Sequence, residues 1–385
     1  MPAPCTHVRV GEAGSLGVDP EAPARFYAAH WSRRTALAIP SFYDWQFRQP
    51  PENRGADRCV VALDDSDRIL GIMGANARTF HLAGRACSGA ELTTWVVAES
   101  ARGSGCGGAI MAFLQSRYEV LAGMGLTEAA LRVYLPSAFV YLRAIPRCVR
   151  IFDLRAAAKY ARVDGLGERL IEQRSAPAPL RYRARPLSVE RDGAAIEACA
   201  VAWRAAGYNH YARDATTCAW RYGRHPVFRY DGVLVSGAGE GVAVFLRIDE
   251  IDGFRILHVL DVFGDERDIP LAVAFLEDKC REEKIAAADF YCVADRVTRH
   301  FRLAGWFSTL DDEFVQLMHL FHPPEFRTPP TTSLVYWARA DMLGMMETSR
   351  LYITKQDLDL DRPTGEGYEA IRDVAAESPS GAAES

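Results

Sequence analysis

The sequence predicts an α/β chain made of two tandem copies of one unit, each a mixed β-sheet flanked by helices. Three observations lead there. Strand-like and helix-like segments alternate along the chain, which favours sheets with helices packed on their faces. The order of those segments in residues 58–144 returns in residues 181–303. A short aromatic segment closed by proline, Trp45-Gln-Phe-Arg-Gln-Pro50, is matched by Trp220-Arg-Tyr-Gly-Arg-His-Pro226, and each precedes a hairpin signal.

The first copy reads as follows. Residues 58–63 and 68–73 are apolar, β-branched runs around the turn-like Asp64-Asp65-Ser66-Asp67, which makes a hairpin. Residues 91–97 (ELTTWVV) form a third strand. Ile110, Phe113, Leu114 and Leu121 recur at helical spacing and predict a helix over 109–121. Residues 129–133 read as a buried strand and 137–144 as a short helix.

Residues 155–180 turn rich in Ala, Arg and Glu and end in SAPAPL, a surface helix running into a linker. The second copy then starts with a strand over 181–187 and a helix over 191–205, with Ile196, Cys199, Ala200 and Trp203 on one face. Strands follow at 232–235, 242–248 and 255–262, then a helix over 269–283, a strand over 288–293 and a helix over 296–303. The expected organisation is a first domain over 1–178, a second over 179–340, and a tail over 341–385. The small polar stretch 375–385 is expected to be disordered.

Composition narrows the function classes. Of 385 residues, 49% are hydrophobic and 25% charged, an ordinary globular mix that buries a large core. A formal net charge of −5 gives no global basic field for nucleic acid or anionic lipid. No apolar run reaches the roughly 20 residues of a spanning helix, and no secretion signal is visible at the N-terminus. The nine cysteines contain no CxxC pair and read as reduced thiols. A cytoplasmic protein is the expectation.

The sharpest local signal is Val97-Ala-Glu-Ser-Ala-Arg102-Gly103-Ser104-Gly105-Cys106-Gly107-Gly108, where a strand runs through glycines into a helix. Glycines admit positive φ and close approach of a ligand. The first turn of the helix presents unpaired N–H groups and a positive dipole end, which suit a diphosphate. The P-loop pattern GxxxxGK[ST] fails because the stretch has no lysine. GxGxxG is satisfied literally, but a dinucleotide fold needs a carboxylate about 20 residues on, at the end of the next strand. The chain has Val133-Tyr134-Leu135 there.

The stretch resembles the acyl-CoA loop of the GNAT N-acetyltransferase superfamily, [RQ]-x-x-G-x-[GA] after a strand ending in valine. Arg102-x-x-Gly105-x-Gly107 matches at every fixed position, and the resemblance covers about residues 5–155. It implies two tandem GNAT-like domains with partly splayed sheets, and acetyl-CoA or another acyl-CoA as co-substrate, with no metal. By this resemblance Trp95, Val96 and Val97 pair their main chain with the pantetheine arm. Arg102, Gly103, Ser104, Gly105, Cys106, Gly107 and Gly108 hold the diphosphate.

The resemblance also implies direct attack by an amine, with a tyrosine protonating the leaving thiolate. Tyr141 is the candidate acid and Tyr134 the second choice, since the family's Asn and Gly-Phe around the tyrosine are missing. Glu91, which opens the motif strand, is the candidate base. His258 and Asp261, on the equivalent strand of the second copy, are alternates. That copy lacks the loop: Phe263-Gly-Asp265-Glu266-Arg-Asp268 has one glycine and three carboxylates. Asp357-Leu-Asp359-Leu-Asp361 fails as an EF-hand for want of Gly and Glu at the required places, and is read as a solvated tail or a clamp returning to the cleft. Gly207 to Arg213 is read as a segment stacking on a sugar or base, or packing between the repeats. The whole resembles tandem N-acyltransferases of amino sugars in surface-polysaccharide pathways. The implied partner is a small-molecule amine, a nucleotide-linked amino sugar first and an amino-acid or peptide-like amine second. A non-catalytic binding module is the reading from another class.

Overall fold

The computed structural model describes residues 8–31, 34–173, 180–237, 239–318, 320–321, 324–326, 328, 330–357 and 361–363. Most of the expected linker and the expected disordered stretch 375–385 lie outside the described residues. The first half contains β1 (Arg9–Glu12), α1 (Ala22–His30), α2 (Pro40–Phe47), β2 (Val60–Leu63), β3 (Ile69–Leu82), β4 (Arg85–Val97), α3 (Cys106–Arg117), β5 (Val120–Met124), α4 (Glu128–Tyr134), β6 (Val140–Leu142), β7 (Arg147–Ile151), α5 (Leu154–Ala157), β8 (Ala161–Val163) and α6 (Gly165–Glu172). The second contains β9 (Arg183–Pro186), α7 (Gly193–Ala205), β10 (Asn209–Tyr211), α8 (Ala215–Cys218), β11 (Asp231–Ser236), β12 (Val242–Ile251), β13 (Phe254–Gly264), α9 (Ile269–Glu282), β14 (Ala287–Tyr291) and α10 (Asp295–Leu303). Short strands β15 (Phe307–Ser308), β16 (Val315–Leu317), β17 (Leu320–Phe321) and β18 (Pro324–Glu325) follow, then β19 (Leu334–Ala338) and β20 (Leu351–Tyr352).

Three segments differ from the sequence reading, one of them the expected surface helix after residue 155, which is broken into α5, strand β8 and α6. Residues 129–133, expected as a strand, lie in helix α4; Thr127 caps it by accepting the Ala130 N–H, and Glu128 sits in its first turn. A five-residue run that is apolar except for Arg132 fits either periodicity, so only the cap distinguishes them. The true strand is β5, whose five residues are all buried. It follows Tyr118, where the backbone leaves helix α3 for an extended conformation. The expected helix over 137–144 is instead a turn through Ala138 (φ 61°) into strand β6.

The two sheets correspond position by position. The first runs β1-β2-β3-β4-β5-β19-β6, and the second runs β9-β11-β12-β13-β14-β7-β15. Strand β4 is parallel to β5, and β13 is parallel to β14. The place beside β5 is taken by β19 from the second half, and the place beside β14 by β7 from the first. The halves therefore exchange one strand each. All five residues of β7 are buried, and Arg147 on it is sealed by Asp289 (2.6 Å) and the carbonyls of Leu317, Pro330 and Met318.

One apolar core packs α1, α2 and α3 on the first sheet, another packs α7, α9 and α10 on the second, and a third lies where the halves meet. The repeated aromatic segments face each other at that seam. Trp45 and Trp220 stack at 5.3 Å, and the Trp220 indole N–H donates to the Trp45 carbonyl (3.0 Å). Residues 208–213 pack between the halves: Tyr208 stacks on Trp203 (4.0 Å), and β10 pairs with β3 and β20.

Candidate functional site

The site begins where the first sheet parts. Strands β4 and β5 pair from Gly89↔Val120 to Leu92↔Gly123 and no further. Beyond that fork, Trp95, Val96 and Val97 pair with β3 on one side only. Their other main-chain edge faces a gap, where the N–H and C=O groups need a partner. A bulge sits at the fork, with Thr93 and Thr94 both opposite Gly74, which bends the strand. Glycine is required there, since a Cβ on Gly74 would meet Thr93 Oγ1 at 2.3 Å and Phe47 at 2.6 Å.

The glycine-rich turn closes the same gap at its open end. Gly103 and Gly105 have φ of 80° and 88°, and Gly105 is the N-cap of α3. Nothing lies within 4 Å of a Cβ built on Gly103, Gly105 or Gly108, so no side chain closes the cradle. Arg102, Gly103, Ser104, Gly105 and Gly108 are exposed, while Cys106 is buried. The first-turn amides of α3 have no intrahelical acceptors. The Cys106 N–H donates to the Ser104 hydroxyl (3.4 Å); a helix start with that one capping contact and arginine at its rim, at the end of an unpaired strand edge, fits the diphosphate and amide-bearing arm of an acyl-CoA.

Tyr134 stands at the fork. A Cβ on Gly123 would lie 3.6 Å from its hydroxyl, and its ring meets Trp95 edge-on at 5.5 Å. Trp95 in turn lies 3.0 Å from where a Gly107 Cβ would be, so the strand, the turn and the tyrosine form one surface. Tyr141 is elsewhere. It sits half-buried on the outer strand β6, opposite Val335 of β19. Two strand spacings separate it from β5, roughly 10 Å. The expected helix that was to carry it does not form, and the tyrosine after β5 is Tyr134.

Glu91 does not face solvent. It is 2% exposed and ion-paired with Arg78 of β3. Burial pushes its carboxyl up, and Arg78 pulls it back. Arg78 also reaches Asp357 (3.3 Å), and Asp357 is held by Arg213 (2.6 Å), which in turn holds Asp261 (2.8 Å). One buried network therefore ties β4 of the first sheet to β13 of the second through the returning segment at 351–357. Asp361 is buried too, accepting from Tyr230 (2.6 Å) and Arg247 (3.0 Å). Of the two readings of the acidic tail, the returning clamp describes these residues.

The second fork is filled by the chain itself. Strands β13 and β14 part after Val259↔Phe290, with a bulge at Leu260 that mirrors the one at Thr93–Thr94. Here the segment 352–356 enters the gap. The Val262 N–H donates to the Tyr352 hydroxyl (3.0 Å), the Gln356 N–H to the Leu260 carbonyl (3.3 Å), and the Val293 N–H to the Ile353 carbonyl (3.2 Å). At the loop, Asp265 and Asp268 accept from the backbone N–H groups of Gly239, Glu240 and Gly241. The alternates sit in this filled half. His258, at the position equivalent to Glu91, is locked between Asp289 (2.6 Å) and Asp249 (3.4 Å). Asp261 is held by Arg213 and accepts the Tyr352 hydroxyl (2.7 Å); burial pushes its carboxyl up to about 6, against the pull of Arg213. Both side chains are tied up by these contacts within the filled half.

Arg78 escaped the sequence reading, since nothing local distinguishes a buried arginine from a surface one; Arg213 and Asp357 stood in segments singled out there, but their pairing with each other and with Arg78 did not show. Among the described residues, no group of three or more His, Cys, Asp or Glu side chains is placed to hold a metal, and no helix is long and apolar enough to cross a membrane. The eight described cysteines are free and buried.

No family model matches the chain, and no curated protein matches it. Solved structures do. A probable N-acyltransferase from Enterococcus faecalis, otherwise described as of unknown function, is similar at 9% identity and a TM-score of 0.54, over 86% of this chain and 72% of that one. An N-myristoyltransferase from Saccharomyces cerevisiae with bound myristoyl-CoA is similar at 10% identity and 0.51, over 95% and 86%. A GCN5-related N-acetyltransferase from Kribbella flavida is similar at 15% identity and 0.50, over 86% and 71%. At such identities the likeness is one of fold, and the fold is the two-domain GNAT arrangement.

Proposed function

We propose that this GNAT-folded chain is an acyl-CoA-dependent N-acyltransferase with one active site, at the fork of the first sheet. The observation that carries the reading is the contrast between two equivalent forks. One has an unpaired strand edge leading to an open glycine cradle. The other is filled by residues 352–356 and by the Asp265 and Asp268 carboxylates. A binding scaffold has no need to keep one fork open and seal the other.

The acyl-CoA supplies a thioester carbonyl. The amides of the turn and of the α3 start hold its diphosphate, and the free edge of Trp95–Val97 pairs with its amide-bearing arm. The acceptor nitrogen attacks the carbonyl, the C–S bond breaks and a C–N amide bond forms. N–H groups at the Thr93–Thr94 bulge steady the oxygen as charge builds on it. Tyr134 gives its proton to the departing thiolate. Glu91 is the proposed acceptor of the amine proton, because burial raises its carboxyl toward the range of a working base. Both groups then exchange protons with solvent.

A primary amine is the acceptor class, an amino sugar on a nucleotide the first choice and an amino-acid-like amine the second. The aromatic-proline segments and Asp357 of the acidic tail, which support the sugar reading, lie at the seam. The test is mass spectrometry of products from amines offered with acetyl-, longer acyl- or no CoA. Mass gain on an amine only with an acyl-CoA is the expected result; none with any thioester overturns the reading.

A further inference from the structure

The ion-pair chain behind the first fork carries more acid than base. Glu91, Arg78, Asp357, Arg213 and Asp261 follow one another in contact, three carboxyls to two guanidiniums, and all five are buried. Excess charge away from water is costly, so how the guanidiniums are divided decides which carboxyl stays least neutralised. The division turns on Arg78. Its Nη1 donates both to Glu91 and to Asp357 Oδ1 (3.3 Å), while its Nη2 donates to the Ala212 carbonyl. Glu91 therefore does not receive the paired, two-bond grip with which a guanidinium holds a carboxylate most firmly ionised.

Asp357 is held in place by the second half. Its Oδ2 accepts from Arg213 Nη2 (2.6 Å) and from the Thr354 N–H (3.1 Å). The segment that carries it is fixed in the second fork, through the Gln356 N–H on the Leu260 carbonyl (3.3 Å) and the bridge between Thr354 and Cys292. The filling of that fork thus sets where Asp357 meets Arg78. Among the described residues, the charged and titratable groups facing Glu91 are Arg78 from β3, Arg221 from the turn 219–223, Tyr211 from β10 and Asp357 from the returning segment. Asn76 and Ala122, its neighbours on β3 and β5, carry no charge. Arg78 and Arg221 favour the ionised carboxyl; burial and Asp357 oppose it. Tyr211 is held as a neutral phenol, its hydroxyl donating to the Ala90 carbonyl (2.7 Å).

We infer that Asp357 is a positioning residue for the first fork: by drawing on the guanidinium that pairs with Glu91, and by its own charge, it leaves the Glu91 carboxylate incompletely neutralised and free to take the proton of the acceptor amine. The inference rests on the acyl-transfer reading and gives the second copy a part in it. The proton passes from the attacking nitrogen to Glu91 as the C–N bond forms, and Asp357 takes no part in the bond changes.

The test is a pH titration of the whole protein by infrared spectroscopy, which sees the carbonyl stretch of a protonated carboxyl. The band that Glu91→Gln removes belongs to Glu91. In Asp357→Asn that band should appear about one pH unit lower than in the wild type, because a neighbouring negative charge is gone and Arg78 is left to Glu91. Asp357→Glu keeps the charge and should restore most of the midpoint. Gln356→Ala loosens the same segment with every charge in place and should not move it. Should Asp357→Asn fail to fold, Arg78→Gln is titrated with and without Asp357→Asn, and the double variant, balanced in charge, should have the lower midpoint. An unchanged or raised midpoint in Asp357→Asn, an equal shift in Gln356→Ala, equal midpoints in the second pair, or no Glu91 band at all overturns the inference. Thermal stabilisation by CoA checks folding in each protein. With acetyl-CoA and glucosamine as the amine, the acid limb of kcat/KM should move down with the band in Asp357→Asn, and kcat should fall a few-fold while KM for acetyl-CoA holds. Failure of the acyl-transfer reading shows differently, as no product and no stabilisation by CoA, whereas a protein that transfers acyl groups with the Glu91 band unmoved tells against Asp357 alone.

Discussion

Gly105→Glu tests the cradle most directly. At φ 88° any residue with a Cβ is strained, at roughly 1–2 kcal/mol. The added side chain otherwise meets nothing, because a Cβ there has open space around it. A chain of 385 residues has an unfolding entropy of about 0.8 kcal/mol per degree. The strain alone therefore lowers Tm by only about 1–3 °C, and the protein stays folded. CoA at a hundred times its Kd adds about 2.7 kcal/mol to the wild type, or about 3 °C. In Gly105→Glu the carboxylate projects into the place of the diphosphate, and that rise should vanish. Gly105→Asn separates backbone strain from blockage, since asparagine tolerates positive φ and adds no charge; it should keep most of the rise. Differential scanning fluorimetry with and without CoA reads all three proteins. If Gly105→Glu keeps the full rise, the diphosphate is not held at this turn.

Three further outcomes are expected. Tyr134→Phe should cut kcat about a hundredfold while CoA still raises Tm, and Tyr141→Phe should leave kcat within twofold; steady-state kinetics decides, and equal effects would return the acid to Tyr141 or to neither. Residues 1–178 expressed alone should fail to fold, because β7 loses β14 and β15 while β5 loses β19. A cooperative melt from that fragment would refute the interdependence of the halves. Stability should fall below about pH 6.5, the ordinary histidine value. Burial, helped by Arg221, holds the His225 imidazole down to about 2, and its Nδ1 accepts the Val227 and Phe228 N–H groups. The unfolded chain then takes up a proton that the native state refuses, which costs about 1.4 kcal/mol per pH unit. The drop from pH 6 to 5 should be about 2 °C in Tm from this residue, and smaller in His225→Gln; an identical slope in both would rule His225 out.

The glycine turn was legible because it is local: Arg102-x-x-Gly105-x-Gly107 lies on one stretch of chain, and its backbone needs are written in the residues themselves. The duplication was legible too, and the two aromatic-proline segments that signal it meet face to face. The surroundings of Tyr134 and Tyr141 were not legible, because residues 129–133 fit strand and helix equally and the element carrying Tyr141 was misread. Glu91 was found by position on the motif strand, but its burial against Arg78 was not, since that pairing is set by strand register.

By itself the sequence determined two α/β copies, a glycine-rich strand-to-helix turn in the first, and the absence of that turn in the second. The tertiary structure alone decided that the copies trade strands, that residues 352–356 fill the second fork, and that Asp357 bridges arginines more than a hundred residues apart. The reason is physical. Turns and caps are fixed by neighbours in the chain, whereas strand exchange and buried ion pairs are chosen by which distant surfaces most completely satisfy one another's hydrogen bonds and charges once water is excluded.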